Sequence, residues 1–307
     1  DLHGKVARQE LGNIDALFGA LRTGMLEILA PCALPLEVPR DVRPFMILAV
    51  GVNGSGKTTT IGKLARRYRD EGRSVRFDEC SRAGSMRAAA VLRHAQDLAW
   101  QHSETLEYGR AWYESRGVGW VVRSIDLLID EPPRSNEAMT GTTALVGFRH
   151  VMARRRTRLF GSAGRVIADA TIDWVMTDQN GRPVRFPAEF EPFVAEVGAT
   201  FTPEKIPAEP SGDTPGVTVT VPLRVADFDP LGHVNNAAWL EIAEEALNAA
   251  APTQLSAQRR RIRLEYLGLT TGTSVRCTVR AAANEARVDI HDEGGTALVR
   301  ALFDVVA

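Results

Sequence analysis

One decapeptide is the most informative about chemistry in this 307-residue chain: Asp227-Phe228-Asp229-Pro230-Leu231-Gly232-His233-Val234-Asn235-Asn236. Two carboxylates, a Pro/Gly turn, a histidine and two asparagines stand at the entrance to a helix-like run from Val234 to about Ala249. The free N–H groups of a helix's first turn polarise a carbonyl oxygen and stabilise the negative charge that develops on it. A nearby carboxylate attacks that carbonyl or activates water against it. The pattern predicts carbonyl chemistry, with Asp229, Gly232, His233 and Asn235 as the catalytic candidates and Asn236 in support. A plainer reading makes Asp229 an acidic cap and Gly232 a tight turn. It leaves the histidine and both asparagines without a task.

A second motif lies upstream. Gly51-Val52-Asn53-Gly54-Ser55-Gly56-Lys57-Thr58 is a full phosphate-loop pattern between the apolar run Phe45–Val50 and a helix from Lys57 to about Asp70. In such a loop, backbone N–H groups and the helix N-terminus face phosphates. Lys57 then reaches the terminal phosphates and Thr58 offers a hydroxyl to Mg²⁺. Gly51, Gly56, Lys57 and Thr58 are therefore the nucleotide-binding candidates. Phosphoryl transfer also needs a metal-binding carboxylate and several parallel strands, and none follows before the chain changes character near Gly72. The segment reads as vestigial, without nucleotide turnover.

The elements around the decapeptide occur twice. A shift of 148 residues aligns Arg76 with Arg224, Gly84 with Gly232, Ala89-Ala90 with Ala237-Ala238 and Ala95 with Ala243. The first copy has a helix-like stretch from Met86 to about Leu106, then strand-like runs at 119–129, 143–152 and 166–177. The second has strand-like runs at 261–267, 274–281, 286–290 and 297–305. Each copy reads as one long helix against an antiparallel sheet, an α+β unit. Between them, Pro203, Pro207, Pro210 and Pro215 mark 203–216 as a linker. Ahead of both copies, apolar spacing of three and four over residues 10–30 predicts an amphipathic helix.

Composition excludes several classes. The net charge is −1, from 37 basic and 38 acidic residues, against the basic excess of a nucleic-acid binder. The runs Arg154–Arg156 and Arg259–Arg261 with Arg263 read as arginines on solvated or edge sheet faces, or as a patch for an acidic partner. Cys32, Cys80 and Cys277 have no metal-ligand spacing, which predicts a reduced cytoplasmic protein with no metal. No apolar run is long enough to span a membrane, and the start does not look like a secretion signal.

The decapeptide resembles the signature of hotdog-fold thioesterases, in its Asp-x-Asp-Pro-x-Gly-His and Gly-His-Val-Asn-Asn forms. Residues 74–307 as a whole resemble acyl-acyl-carrier-protein thioesterases, which carry two hotdog units in one chain. The likeness extends to Leu92, Gln96, Ala99–His102, Gly117–Arg123, Asp173–Asp178 and Gly181–Val184 in the first copy. In the second it extends to Glu244–Leu247 and Leu264-Glu265-Tyr266. The resemblance implies a tandem hotdog α+β fold: 1–73 a partial phosphate-loop segment, 74–202 the first unit, 203–216 the linker and 217–307 the second unit with the site. It implies hydrolysis of acyl-carrier-protein or acyl-CoA thioesters, with the carbonyl oxygen at the N–H groups of Gly232 and His233. The substrate brings its own phosphopantetheine arm, no cofactor is required, and a homodimer fits. Glu265 is a further supporting candidate. Trp100, Trp112 and Trp120 are candidate walls of an acyl channel.

Ser81 and Ser85 stand where the second copy has Asp229 and His233, so the first copy is poorly equipped for acid–base work. The chain also departs from the plant-type pattern, with Leu231 and Leu269 where that pattern has polar residues. What is intact is closer to simpler acyl-CoA thioesterases. An acyl-binding or scaffolding protein without turnover is the alternative reading. Residues from about 10 to 75 resemble the GTPase of the signal recognition particle receptor through the loop and Thr59-Thr60-Ile61-Gly62-Lys63-Leu64-Ala65. A GTP-binding membrane-targeting fragment is the third reading, opposed by the family motifs that are missing downstream.

Overall fold

Residues 14–29, 73–210, 214–251 and 259–306 are described by this computed structural model. The chain divides into two units, Asp1–Lys63 and Leu64–Ala307. Of the first, only helix α1 (Ile14–Leu29) is described, in agreement with the apolar spacing there. Gly51, Gly56, Lys57 and Thr58 lie outside the described residues.

In the second unit a short strand β1 (Arg73–Ser74) leads into helix α2 (Ala88–Thr105) and a small helix α3 (Arg110–Arg116). Strands β2 (Val118–Ile129), β3 (Ala138–Arg149), β4 (Met152–Phe160) and β5 (Val166–Asp178) follow, then helix α4 (Glu191–Val197). Past the linker come β6 (Val217–Pro222), helix α5 (Asn236–Ala250), β7 (Arg260–Tyr266), β8 (Ser274–Ala281), β9 (Glu285–His291) and β10 (Ala297–Val305). The ten strands among the described residues form one sheet, ordered β1-β3-β4-β5-β2-β7-β10-β9-β8-β6. The expected α+β tandem is what is observed.

Both long helices bury a stripe of mainly small residues. Ala88, Ala89, Leu92, Ala95 and Ala99 of α2 are matched by Ala237, Leu240, Ala243, Ala246 and Leu247 of α5. Spacing of three and four keeps each set on one face, and alanine lets a helix lie close to a sheet. The halves join where β2 pairs antiparallel with β7, from Ser124↔Glu265 to Ile129↔Arg260. Above that seam Arg93 of α2 makes a bidentate pair with Glu241 of α5, at 2.8 and 3.0 Å. These two residues hold equivalent positions in the two copies. A pseudo-twofold axis therefore runs through the seam, perpendicular to the sheet, and sets the helices antiparallel.

Three details differ from the sequence reading. The run expected at 143–152 is broken at His150, whose φ is +52°, so a hairpin separates β3 from β4. Strand β4 was hidden by its arginines, which alternate: Arg154 pairs outward with Asp173 at 2.7 Å and Arg156 with Asp169, while Arg155 points inward and is buried. Helix α3 is too short to show periodicity. The linker is also held down. Ile206 is buried, its N–H donates to Glu265 Oε2 at 3.0 Å, and Arg287 donates to the Ala208 carbonyl at 2.9 Å. No helix among the described residues is long and apolar enough to cross a membrane.

Candidate active site

Equivalent loops lead into α2 and α5, and their backbones match bond for bond. Asp229 N–H donates to the His233 carbonyl at 2.8 Å, and Ser81 N–H to that of Ser85 at 2.7 Å. The N–H groups of Gly232 and Gly84 reach the carbonyls of Asp229 and Ser81, each at 2.9 Å. Asn235 and Arg87 donate to the carbonyls of Asp227 and Glu79. Both glycines sit in the left-handed region, at φ +76° and +78°. Only the side chains differ.

In the second copy Asp229 Oδ1 accepts from Leu231 N–H at 2.9 Å and His233 N–H at 3.2 Å. Its Oδ2 accepts no hydrogen bond from the described residues. Asn235 caps α5, its Oδ1 accepting from Ala237 N–H at 2.9 Å. Asn236 opens the helix, and its carbonyl accepts from Tyr266 hydroxyl at 2.9 Å, tying the helix start to β7. Asp229, Gly232, His233, Asn235 and Asn236 are thus brought together. The Gly232 and His233 N–H groups, assigned in the sequence to the carbonyl oxygen, are committed inside the loop to Asp229. The first turn of α5, at the helix's positive end, begins three residues after His233.

Asp227 has a different task. It is buried and accepts from Arg224 through the backbone at 2.7 Å and the guanidinium at 2.6 Å, bracing the turn beneath the loop. In the first copy Glu79 holds that place and meets His94 Nε2 at 2.9 Å. That half-buried pair had no sequence signal, because fifteen residues separate its members. The first copy has Ser81 Oγ and Ser85 Oγ 3.4 Å apart where Asp229 and His233 stand in the second.

Residues 67–191 match the family model for the N-terminal domain of acyl-ACP thioesterases, ACP being acyl carrier protein. Residues 67–191 are thus similar to that domain, over less than half of the chain. Solved structures with the same fold include a protein assigned as an oleoyl thioesterase from Lactobacillus plantarum. It is 21% identical, with TM-score 0.65, covering 77% of this chain and 96% of that one. The 12:0-ACP thioesterase from Umbellularia californica is 17% identical with TM-score 0.63, covering 76% of this chain and 91% of its own. At these identities the likeness carries the fold, two hotdog units in tandem. The other end has separate relatives. The signal recognition particle receptor FtsY of Haemophilus influenzae is 48% identical over 85 residues, 28% of this chain. The chain spans only 20% of that receptor's length.

The fold places the remaining candidates away from the loop. Tyr266 faces α5, so its strand neighbour Glu265 points to the opposite face of the sheet. There Glu265 is buried against Arg123 at 2.7 Å and Arg300 at 3.6 Å, and it holds the linker. Trp112 and Trp120 join one aromatic cluster around Phe190, with centroids 5.7 and 6.0 Å from it. Trp120 Nε1 donates to Tyr113 hydroxyl at 3.0 Å. Trp100 is instead 43% exposed and bonds Glu104 on its own helix. Leu231 and Leu269 are exposed, at 70% and 61%. Arginines 154, 156, 259, 261 and 263 all pair with carboxylates, so the basic runs make no free cationic patch. The described residues hold no cluster suited to a metal ion.

Proposed function

We propose that this protein hydrolyses acyl thioesters presented by acyl carrier protein or coenzyme A, at the loop before α5. The reading rests on Asp229: two N–H bonds fix Oδ1, and Oδ2 accepts from none of the described residues, close in sequence to a helix N-terminus. Oδ2 attacks the acyl carbon, or takes a proton from a water that does so. The carbonyl oxygen gains charge and is stabilised by N–H groups of the first turn of α5, near Asn236. Collapse breaks the C–S bond and expels a thiolate on the phosphopantetheine arm, which needs little acid assistance. If Asp229 has attacked, water then cleaves the acyl–carboxylate anhydride and restores it. His233 orients the group under attack, and Asn235 keeps the helix start in place. The cytoplasmic setting predicted from the sequence belongs to this reading.

The test is thiol release from acyl-ACP and acyl-CoA thioesters over a series of chain lengths, with wild type and Asp229→Asn. The asparagine retains an oxygen for the two N–H groups but is neither base nor nucleophile. It should lose about 10²- to 10⁴-fold in kcat/KM. Retention of wild-type rate would remove Asp229 from the chemistry. Exposed Leu231 and Leu269 favour one rival, acyl binding without turnover, which would show as saturable binding with no thiol released.

A further inference from the structure

The inner face of the first unit carries polar groups that the mechanism does not use. Ala153, Trp174 and Val122 form one row across β4, β5 and β2. It reaches the seam beside Tyr266, whose hydroxyl meets the start of α5. The next row is Arg155, Ile172, Ile125 and Leu264. With strands about 4.8 Å apart and a rise of about 3.3 Å per residue, Arg155 lies roughly 16 Å from Tyr266 along the sheet.

Arg155 is 6% exposed, yet no carboxylate among the described residues accepts from it. Its Nη1 donates to His102 Nδ1 at 3.2 Å and Thr143 Oγ1 at 3.4 Å, two long bonds to uncharged groups. Burial pushes the guanidinium down to about 10, and burial with the Arg155 charge holds His102 below its ordinary value. The last carbonyls of α2 do not explain the cation. Those of His102 and Ser103 already accept from Leu106 and Tyr108 N–H. A second donor is orphaned one row away: Trp174 Nε1 is buried with no partner. Arginines on the outer face of the same strand each have an aspartate. A buried charge is normally paired, and a buried N–H is normally bonded.

We infer that this inner face binds an acyl group bearing a carboxylate at the end remote from the thioester, with Arg155 taking the carboxylate and Trp174 Nε1 donating along the path. The inference rests on the thioesterase reading for delivery of the chain, but not for binding itself. Arg155 is then a specificity residue for ω-carboxyacyl thioesters over methyl-ended ones.

The experiment pairs CoA thioesters of dicarboxylic and monocarboxylic acids at matched chain lengths. Wild type should prefer the carboxylate-ended member by at least about tenfold in kcat/KM at the best length, and Arg155→Met should abolish or reverse the preference. Equal or better use of the methyl-ended series by wild type overturns the proposal, and so does an unchanged ratio in folded Arg155→Met. Should that variant fail to fold, the wild-type ratio decides alone. Binding of the free acids, followed by tryptophan fluorescence, separates the two ideas if no thioester is cleaved. Tighter binding of dicarboxylates then supports the site while the hydrolase reading falls, and preference for monocarboxylates defeats the site.

Discussion

The matched loops allow an experiment in which the protein supplies its own control. Gly232 and Gly84 have nearly the same φ, +76° and +78°. A Cβ at Gly232 would meet nothing within 4 Å, and one at Gly84 only Arg134 Nη1 at 3.9 Å, an ordinary contact. Alanine at either position therefore meets no steric clash and suffers only the left-handed backbone, about 1–2 kcal/mol. For a unit of this size that is a fall in Tm of roughly 2–8 °C, similar for both variants. Activity should separate them. Around Gly232 the backbone aims three N–H groups at Asp229, those of Leu231 and His233 at its carboxylate and its own at the carbonyl. Relaxing φ moves that carboxylate, and a misplacement of about 1 Å can cost about 10²-fold. Gly232→Ala should lose roughly 10- to 100-fold in kcat/KM, and Gly84→Ala a few-fold at most. Thermal melts and thiol-release kinetics on the two purified variants provide the comparison. Equal losses of activity at equal losses of stability would refute the reasoning, because the loops would then matter only as structure.

Glu265→Ala should leave Arg123 and Arg300 without their buried partner and release the Ile206 N–H, destabilising the fold by about 3–5 kcal/mol. Denaturant melts would show the loss, and limited proteolysis should cut the linker within 203–210 faster than in wild type. Cys277 is fully buried and its thiol is pushed up to about 12 by desolvation. At pH 8 it should resist a thiol reagent in the folded protein and react on unfolding; rapid native labelling located there by peptide mapping would contradict the packing.

How much of this was legible depended on whether the signal was local. The repeat, the helices and the decapeptide all write themselves in adjacent residues or at helical spacing, and α2, α5 and the Asp229 loop follow the sequence closely. Strand β4 did not, because three arginines in a row look solvated, although pleating turns the middle one into the core. The Glu79–His94 pair, the Arg123–Glu265 clamp and the inward Arg155 each join residues that only tertiary packing brings together. The N–H groups of Gly232 and His233 were misassigned for a related reason. Motif spacing puts donors in a loop but does not say which acceptor they find first.

The seam between β2 and β7 has a consequence for how the molecule behaves in a dilute or crowded cell. Where a paired fold comes from two separate chains, its interface competes with dilution, and the fraction assembled depends on abundance. Here the partner strand is tethered, so its effective concentration is set by the linker and not by expression level. The paired state should therefore persist at copy numbers where a two-chain equivalent falls apart. A tethered pair is also protected from mixing with paralogues, since each half meets its own mate before any other.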